Sequence, residues 1–189
     1  MKLLFTLLVT FVGATAFAQN PSAAMALRSC LIDSRQGNTP SQRDRAAMSC
    51  IKQSRESLSV SNCILLANKL EYSFLAEEVR FFCLNDLPRP LKITQCFEVA
   101  NSFNYADNSD YARWNCLKRF NRSLTVQSCA KVAEKMNYPA NQDRARSYCV
   151  GELAQNPTLK ECVSIAKKIN PGMNLYSHRE YCKQKVLSE

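Results

Sequence analysis

Around four of the cysteines in this chain, apolar residues fall at −3, +3, +4 and +7 relative to the sulfur-bearing position. The sets are Val60, Leu66, Ala67 and Leu70 about Cys63, and Ile93, Val99, Ala100 and Phe103 about Cys96. Val126, Val132, Ala133 and Met136 surround Cys129, and Leu159, Ile165, Ala166 and Ile169 surround Cys162. This spacing traces one face of an α-helix. A second apolar set has Ala46, Val79, Ala112 and Ala145 four before Cys50, Cys83, Cys116 and Cys149, with Ile51, Leu84, Leu117 and Val150 one after. It predicts a second amphipathic helix following each first one. Ser59, Thr125 and Thr158 stand where helix N-caps belong, while Ala26 and Lys92 break that pattern. Pro40, Pro139 and Pro171-Gly172 mark turns between the two helices of a unit, and Pro88, Pro90 and Pro157 mark turns between units. The expected product is ten helices of about 12 residues joined into five αα-hairpins.

The cysteines turn this pattern into a ruler. Cys30, Cys50, Cys63, Cys83, Cys96, Cys116, Cys129, Cys149, Cys162 and Cys182 are separated alternately by 20 and 13 residues, a 33-residue period repeated five times. Such a period predicts an all-α, right-handed-type solenoid with units at about 26–58, 59–91, 92–124, 125–157 and 158–189. In an antiparallel hairpin turning midway through the 20-residue interval, both cysteines sit at one height, near the ~5.5 Å Cα separation a disulfide wants. The 13-residue interval could also close, but it strands Cys30 and Cys182. The preferred pairing is therefore Cys30 with Cys50, Cys63 with Cys83, Cys96 with Cys116, Cys129 with Cys149, and Cys162 with Cys182. Polar residues replace apolar ones in both end units, Asp33, Ser34 and Gly37 in the first and His178 and Lys183 in the last, as capping of a linear array requires. The period is that of ankyrin repeats and close to that of tetratricopeptide repeats, but both signatures are missing and no family is assigned.

Residues 1–18 read as a secretory signal: Lys2, an apolar run from Leu3 to Val12, and Ala16-Phe17-Ala18 as a cleavage site before Gln19. The single domain then spans 19–189. An even number of cysteines behind an export signal implies a disulfide framework and a periplasmic or secreted location. The formal charge of +9 is unevenly spread, +2 over residues 19–89 against +6 over residues 90–189. Export argues against nucleic acid as the partner, and no later stretch approaches a membrane span.

Catalysis has little to stand on. His178 is the only histidine, and its place in the last unit suits capping better than proton transfer. The cysteines lack C-x-x-C spacing and are used up by the framework, so neither redox chemistry nor a metal site is expected, and no cofactor. Only Gly37, Gly151 and Gly172 follow the signal, too few for a phosphate-cradling loop. The expected activity is non-enzymatic binding, with the repeat surface presented to a protein or peptide. Met48, Phe81 and Trp114 recur two before the second cysteine, on the helix side turned away from the disulfide. They form either an exposed apolar stripe over the first three units or core tucked between units. Arg80, Arg113, Arg146 and Arg179 recur three before the second cysteine. Glu77, Asp110 and Asp143 precede the first three of these at i, i+3, so a structural role is preferred over an arginine ladder for anions. Tyr72, Tyr105 and Tyr138 are expected to pin the hairpin turns. The alternative function is binding of an anionic envelope glycan or lipid through Lys131, Lys135, Lys167 and Lys168 in the basic second half.

Overall fold

The N-cap types identified in the sequence do what their chemistry allows. Ser59 Oγ accepts the Asn62 N–H at 3.2 Å, Thr125 Oγ1 that of Ser128 at 3.1 Å, and Thr158 Oγ1 that of Glu161 at 3.3 Å. Each opens a first helix by satisfying an otherwise orphaned donor. At Lys92 no acceptor exists, and only the reciprocal half of a capping box remains, the Lys92 N–H donating to Gln95 Oε1 at 2.9 Å. The computed structural model describes residues 21–187, so the signal segment lies outside the described residues.

Ten α-helices and no strand occur among the described residues: α1 Pro21–Asp33, α2 Pro40–Gln53, α3 Val60–Ala67, α4 Ser73–Asn85, α5 Ile93–Ser102, α6 Ala106–Arg119, α7 Val126–Ala133, α8 Pro139–Gly151, α9 Leu159–Ile169 and α10 Leu175–Leu187. Pro40 and Pro139 do not lie in the turns but open α2 and α8, at the first helical position, where the missing N–H costs nothing. Each odd-numbered helix packs on the even-numbered helix that follows it, giving pairs 1 to 5 in chain order. Every pair is closed by the expected disulfide between cysteines 20 residues apart, with Cα separations of 5.7 to 5.9 Å, and no cysteine is left free.

Successive pairs pack on one another through α2 with α4, α3 and α4 with α5, α6 with α7, and α7 and α8 with α9. The interior combines the disulfides and small residues with larger apolar side chains. Ala67, Ala100, Ala133 and Ala166 are buried in the same core clusters as the disulfides. Larger side chains, Ile51, Leu84, Leu117 and Val150, fill the space between pairs and are almost wholly buried. At that position in the last pair stands Lys183, which is exposed. His178 departs from the polar-cap expectation: it is buried, and its Nε2 lies 2.9 Å from the carbonyl oxygen of Asn170 at the end of α9. It thus closes a helix terminus from inside.

Candidate docking face on the second helices

Buried carboxylates and their partners decide which side chains are committed to holding the pairs together. Glu77 and Asp110 receive the turn of the pair that follows them. Asn104 N–H donates to Glu77 Oε1 at 2.8 Å and the Asn108 side-chain amide to Glu77 Oε2 at 2.7 Å. Asn137 and Tyr138 N–H donate to Asp110 at 2.7 and 3.1 Å, joined by the side-chain amides of Asn137 and Asn141, both at 2.9 Å. Asp44 accepts the Tyr72 N–H at 2.7 Å in the same way. These carboxylates are buried, and backbone N–H groups that the hairpin turns leave unpaired are satisfied by the preceding pair. Burial pushes the Asp110 carboxyl up, but the hydrogen bonds from Asn141, Asn137 and Tyr138 more than offset it and hold it below the ordinary carboxylate value.

The arginines belong to the same network. Arg80 bonds Glu77 at 2.7 Å and Asn68 at 2.6 Å, Arg113 bonds Asp110 at 3.2 Å and Asn101 at 3.1 Å, and Arg146 bonds Asp143 at 2.9 Å. Arg80 is buried with its partner, so these three arginines tie the second helix of a pair to the end of its first helix or to its own preceding turn. Tyr72, Tyr105 and Tyr138 occupy the positions just before α4, α6 and α8. There the backbone, not the ring, does the pinning at Tyr72 and Tyr138, and all three rings are about half exposed. The Tyr105 hydroxyl does reach Ser73 Oγ of the preceding pair, at 2.6 Å.

Outside these networks lies the outer row of the second helices. Positions spaced i, i+4 and i+7 share a helix face. On α4 these are Phe74, Glu78 and Phe81, and on α6 they are Asp107, Tyr111 and Trp114. Phe74 is 70% exposed and Tyr111 58%, large values for aromatic rings. Phe81 and Trp114, marked in the sequence, are half-buried beside them. Phe81 packs its ring 4.6 Å from Phe103 and 6.1 Å from Tyr111, both of pair 3. Trp114 meets Tyr148 of pair 4 edge-on at 5.2 Å, and the Arg144 guanidinium covers it at 4.4 Å. Met48 is half-buried and packs against the core. A recess of about 140 Å³ opens among Asp107, Tyr111, Trp114, Met136 and Arg144. The Lys52–Glu78 ion pair at 2.7 Å bridges α2 and α4 along one side.

The sequence pattern points to Phe81 and Trp114 but passes over Phe74 and Tyr111. Their signal is present: Phe74 lies seven before Phe81, two turns away, and Tyr111 three before Trp114, one turn away, each on the same stripe of its helix. No family model matches the sequence, and no curated protein or solved structure matches it. The site is therefore read from its own geometry.

The basic residues divide. Lys168 is engaged by Glu134, which holds that carboxyl below its ordinary value through the hydrogen bond and the charge of the lysine. Lys131 lies near it in the groove between α7 and α9. Lys167 lines a different surface, shared by α9 and α10, while Lys135 is exposed and lines neither groove. The four do not converge on one site. Five disulfides fit an extracellular or otherwise oxidising compartment, and no helix among the described residues is long and apolar enough to cross a membrane.

Proposed function

We propose that this chain is an exported, non-enzymatic binding protein. Its five stapled helix pairs stack into an open solenoid and present the second-helix face of pairs 2 and 3 to a protein or peptide partner. The observation that carries this reading is the exposure of Phe74 and Tyr111 on the stripe that also holds Phe81 and Trp114. Aromatic rings left in water beside half-buried ones, with Glu78 and Asp107 on the same stripe and Lys52 and Arg144 beside it, have the make-up of an interface that mixes apolar anchors with charges. The internal polar groups support it from the other side. Glu77, Arg80, Asp110 and Arg113 are consumed by packing, so the conspicuous charges of the second helices serve the scaffold.

Affinity capture from the native envelope tests this with wild-type protein and the variant F74S/Y111S. A partner retained by wild type should be lost from the variant, while the melting temperature stays within about 2 °C because both rings are exposed. Equal capture by both proteins would remove the face from consideration. Anionic glycan or lipid binding by Lys131, Lys135, Lys167 and Lys168 draws less support, since one of them is already paired and the others are dispersed.

A further inference from the structure

The face of pair 5 turned away from pair 4 combines an apolar floor with several basic side chains. Within the stack, α5 lies against α3 and α4, and α9 lies against α7 and α8. The corresponding groove on α9 and α10 is uncovered among the described residues. It measures about 810 Å³ and is floored by Leu159, Val163, Leu175 and Tyr176. Leu159, Leu175 and Tyr176 are 39%, 48% and 72% exposed, whereas Val126, which stands one period before Leu159, is buried.

This groove is not made to receive another pair of the same kind. Tyr176 stands where Asp44, Glu77 and Asp110 accept the next turn's N–H groups, and Lys183 stands where Ile51, Leu84, Leu117 and Val150 bury themselves against the next pair. What replaces them is positive charge along both walls. Lys160 and Lys167 lie seven residues apart on α9, about 10 Å along one helix face. Arg179 and Lys183 lie on α10, and among the described residues Lys160, Lys167 and Arg179 form no hydrogen bond or ion pair, while Lys183 pairs with Glu180 at 2.8 Å.

We propose that this end groove docks an acidic amphipathic helix of a partner protein. The slot has the place that accepts a helix between other pairs, its floor is apolar, and its walls carry Lys160, Lys167, Arg179 and Lys183 against the one carboxylate Glu180. The complementary segment has apolar residues at i, i+3 or i+4 and i+7, flanked by Asp or Glu at seven-residue spacing. This surface is separate from the aromatic face on α4 and α6, so each stands or falls alone.

The test uses the full oxidised chain and a fluorescently labelled synthetic helix of 18 residues, with leucines on one stripe and glutamates on both flanks. A peptide of the same composition in scrambled order and phosphatidylglycerol vesicles serve as comparison probes. The ordered peptide should bind, with new hydrogen-exchange protection confined to α9 and α10. K160E/K167E should weaken binding about tenfold, while the equal charge change K135E/K118E leaves it within about twofold. Y176D provides a second lesion, in the floor instead of the walls. F74S/Y111S should bind the peptide as wild type does, which separates this groove from the aromatic face. No binding of the ordered peptide, equal binding of the scrambled one, or binding of vesicles alone would each overturn the assignment.

Discussion

At the scale of single residues, Asp110 shows how one carboxylate serves two masters. Its i, i+3 bond to Arg113 is local and could be read directly from spacing, as could those of Glu77 with Arg80 and Asp143 with Arg146. Its four bonds to Asn137, Tyr138 and Asn141 span 27 to 31 residues. They depend on how closely two pairs approach, which helical periodicity does not encode. Replacing Asp110 by Asn turns an acceptor-only group into one that must also find partners for two buried N–H bonds, at a cost of about 3 kcal/mol in urea unfolding. The pH dependence has a definite sign. Because the folded carboxyl titrates below its unfolded value, its contribution is complete above the ordinary carboxylate range and is lost as pH falls through the folded value. The stability gap between wild type and Asp110→Asn should therefore be constant at neutral pH and close below about pH 4. A gap unchanged at pH 2 would mean that charge plays no part in the brace.

At the scale of helices, length is the governing problem. With eight residues each, α3 and α7 are far below the ~12–15 at which an isolated helix becomes even marginal in water. Caps and cross-links make up the difference, and both were visible in the sequence because Ser, Thr and Cys act locally and at fixed intervals. The boundaries were less visible. α10 begins at Leu175, three residues later than α8 does in its own pair, because the Asn174 side chain caps it by accepting the Ser177 N–H at 2.8 Å. Replacing Cys96 and Cys116 together by Ala removes a closure of about 20 residues and should cost roughly 3 kcal/mol in urea unfolding. Thr158→Ala removes the α9 cap from a box in which Glu161 Oε2 also accepts the Thr158 N–H at 2.9 Å, and should cost about 1 kcal/mol. If the disulfide variant kept full stability, packing alone would hold these short helices.

For the molecule as a whole, the repeat explains where packing comes from but not which parts of the surface stay bare. The position two before the second cysteine is on the outside of its own helix, yet Phe81 and Trp114 are half-covered by the pair that follows. That cover depends on the angle between successive pairs, a property no single unit carries, so Phe74 and Tyr111 emerged as the exposed members only from the assembled chain. The same dependence on neighbours should make stability uneven from pair to pair. The turns of pairs 2, 3 and 4 are each held by a carboxylate of the preceding pair. Pair 5 lacks this hold for two reasons. Pro171, one period after Tyr138, has no N–H to give, and Asn174, one period after Asn141, is diverted to cap its own helix. Asp143 is left bonded to Arg146 among the described residues, with its side chain 44% exposed. Native-state hydrogen exchange should reflect this. The N–H groups of Tyr72, Asn104, Asn137 and Tyr138 should exchange about 100-fold or more slowly than those of Gly172 and Asn174, whose turn opens without disturbing a neighbour. Asp110→Asn should abolish the protection at 137 and 138 while leaving that at 72 and 104 intact, because each brace joins only two adjacent pairs. Loss of protection at all turns together in that variant would instead mean that the pairs open as one cooperative unit.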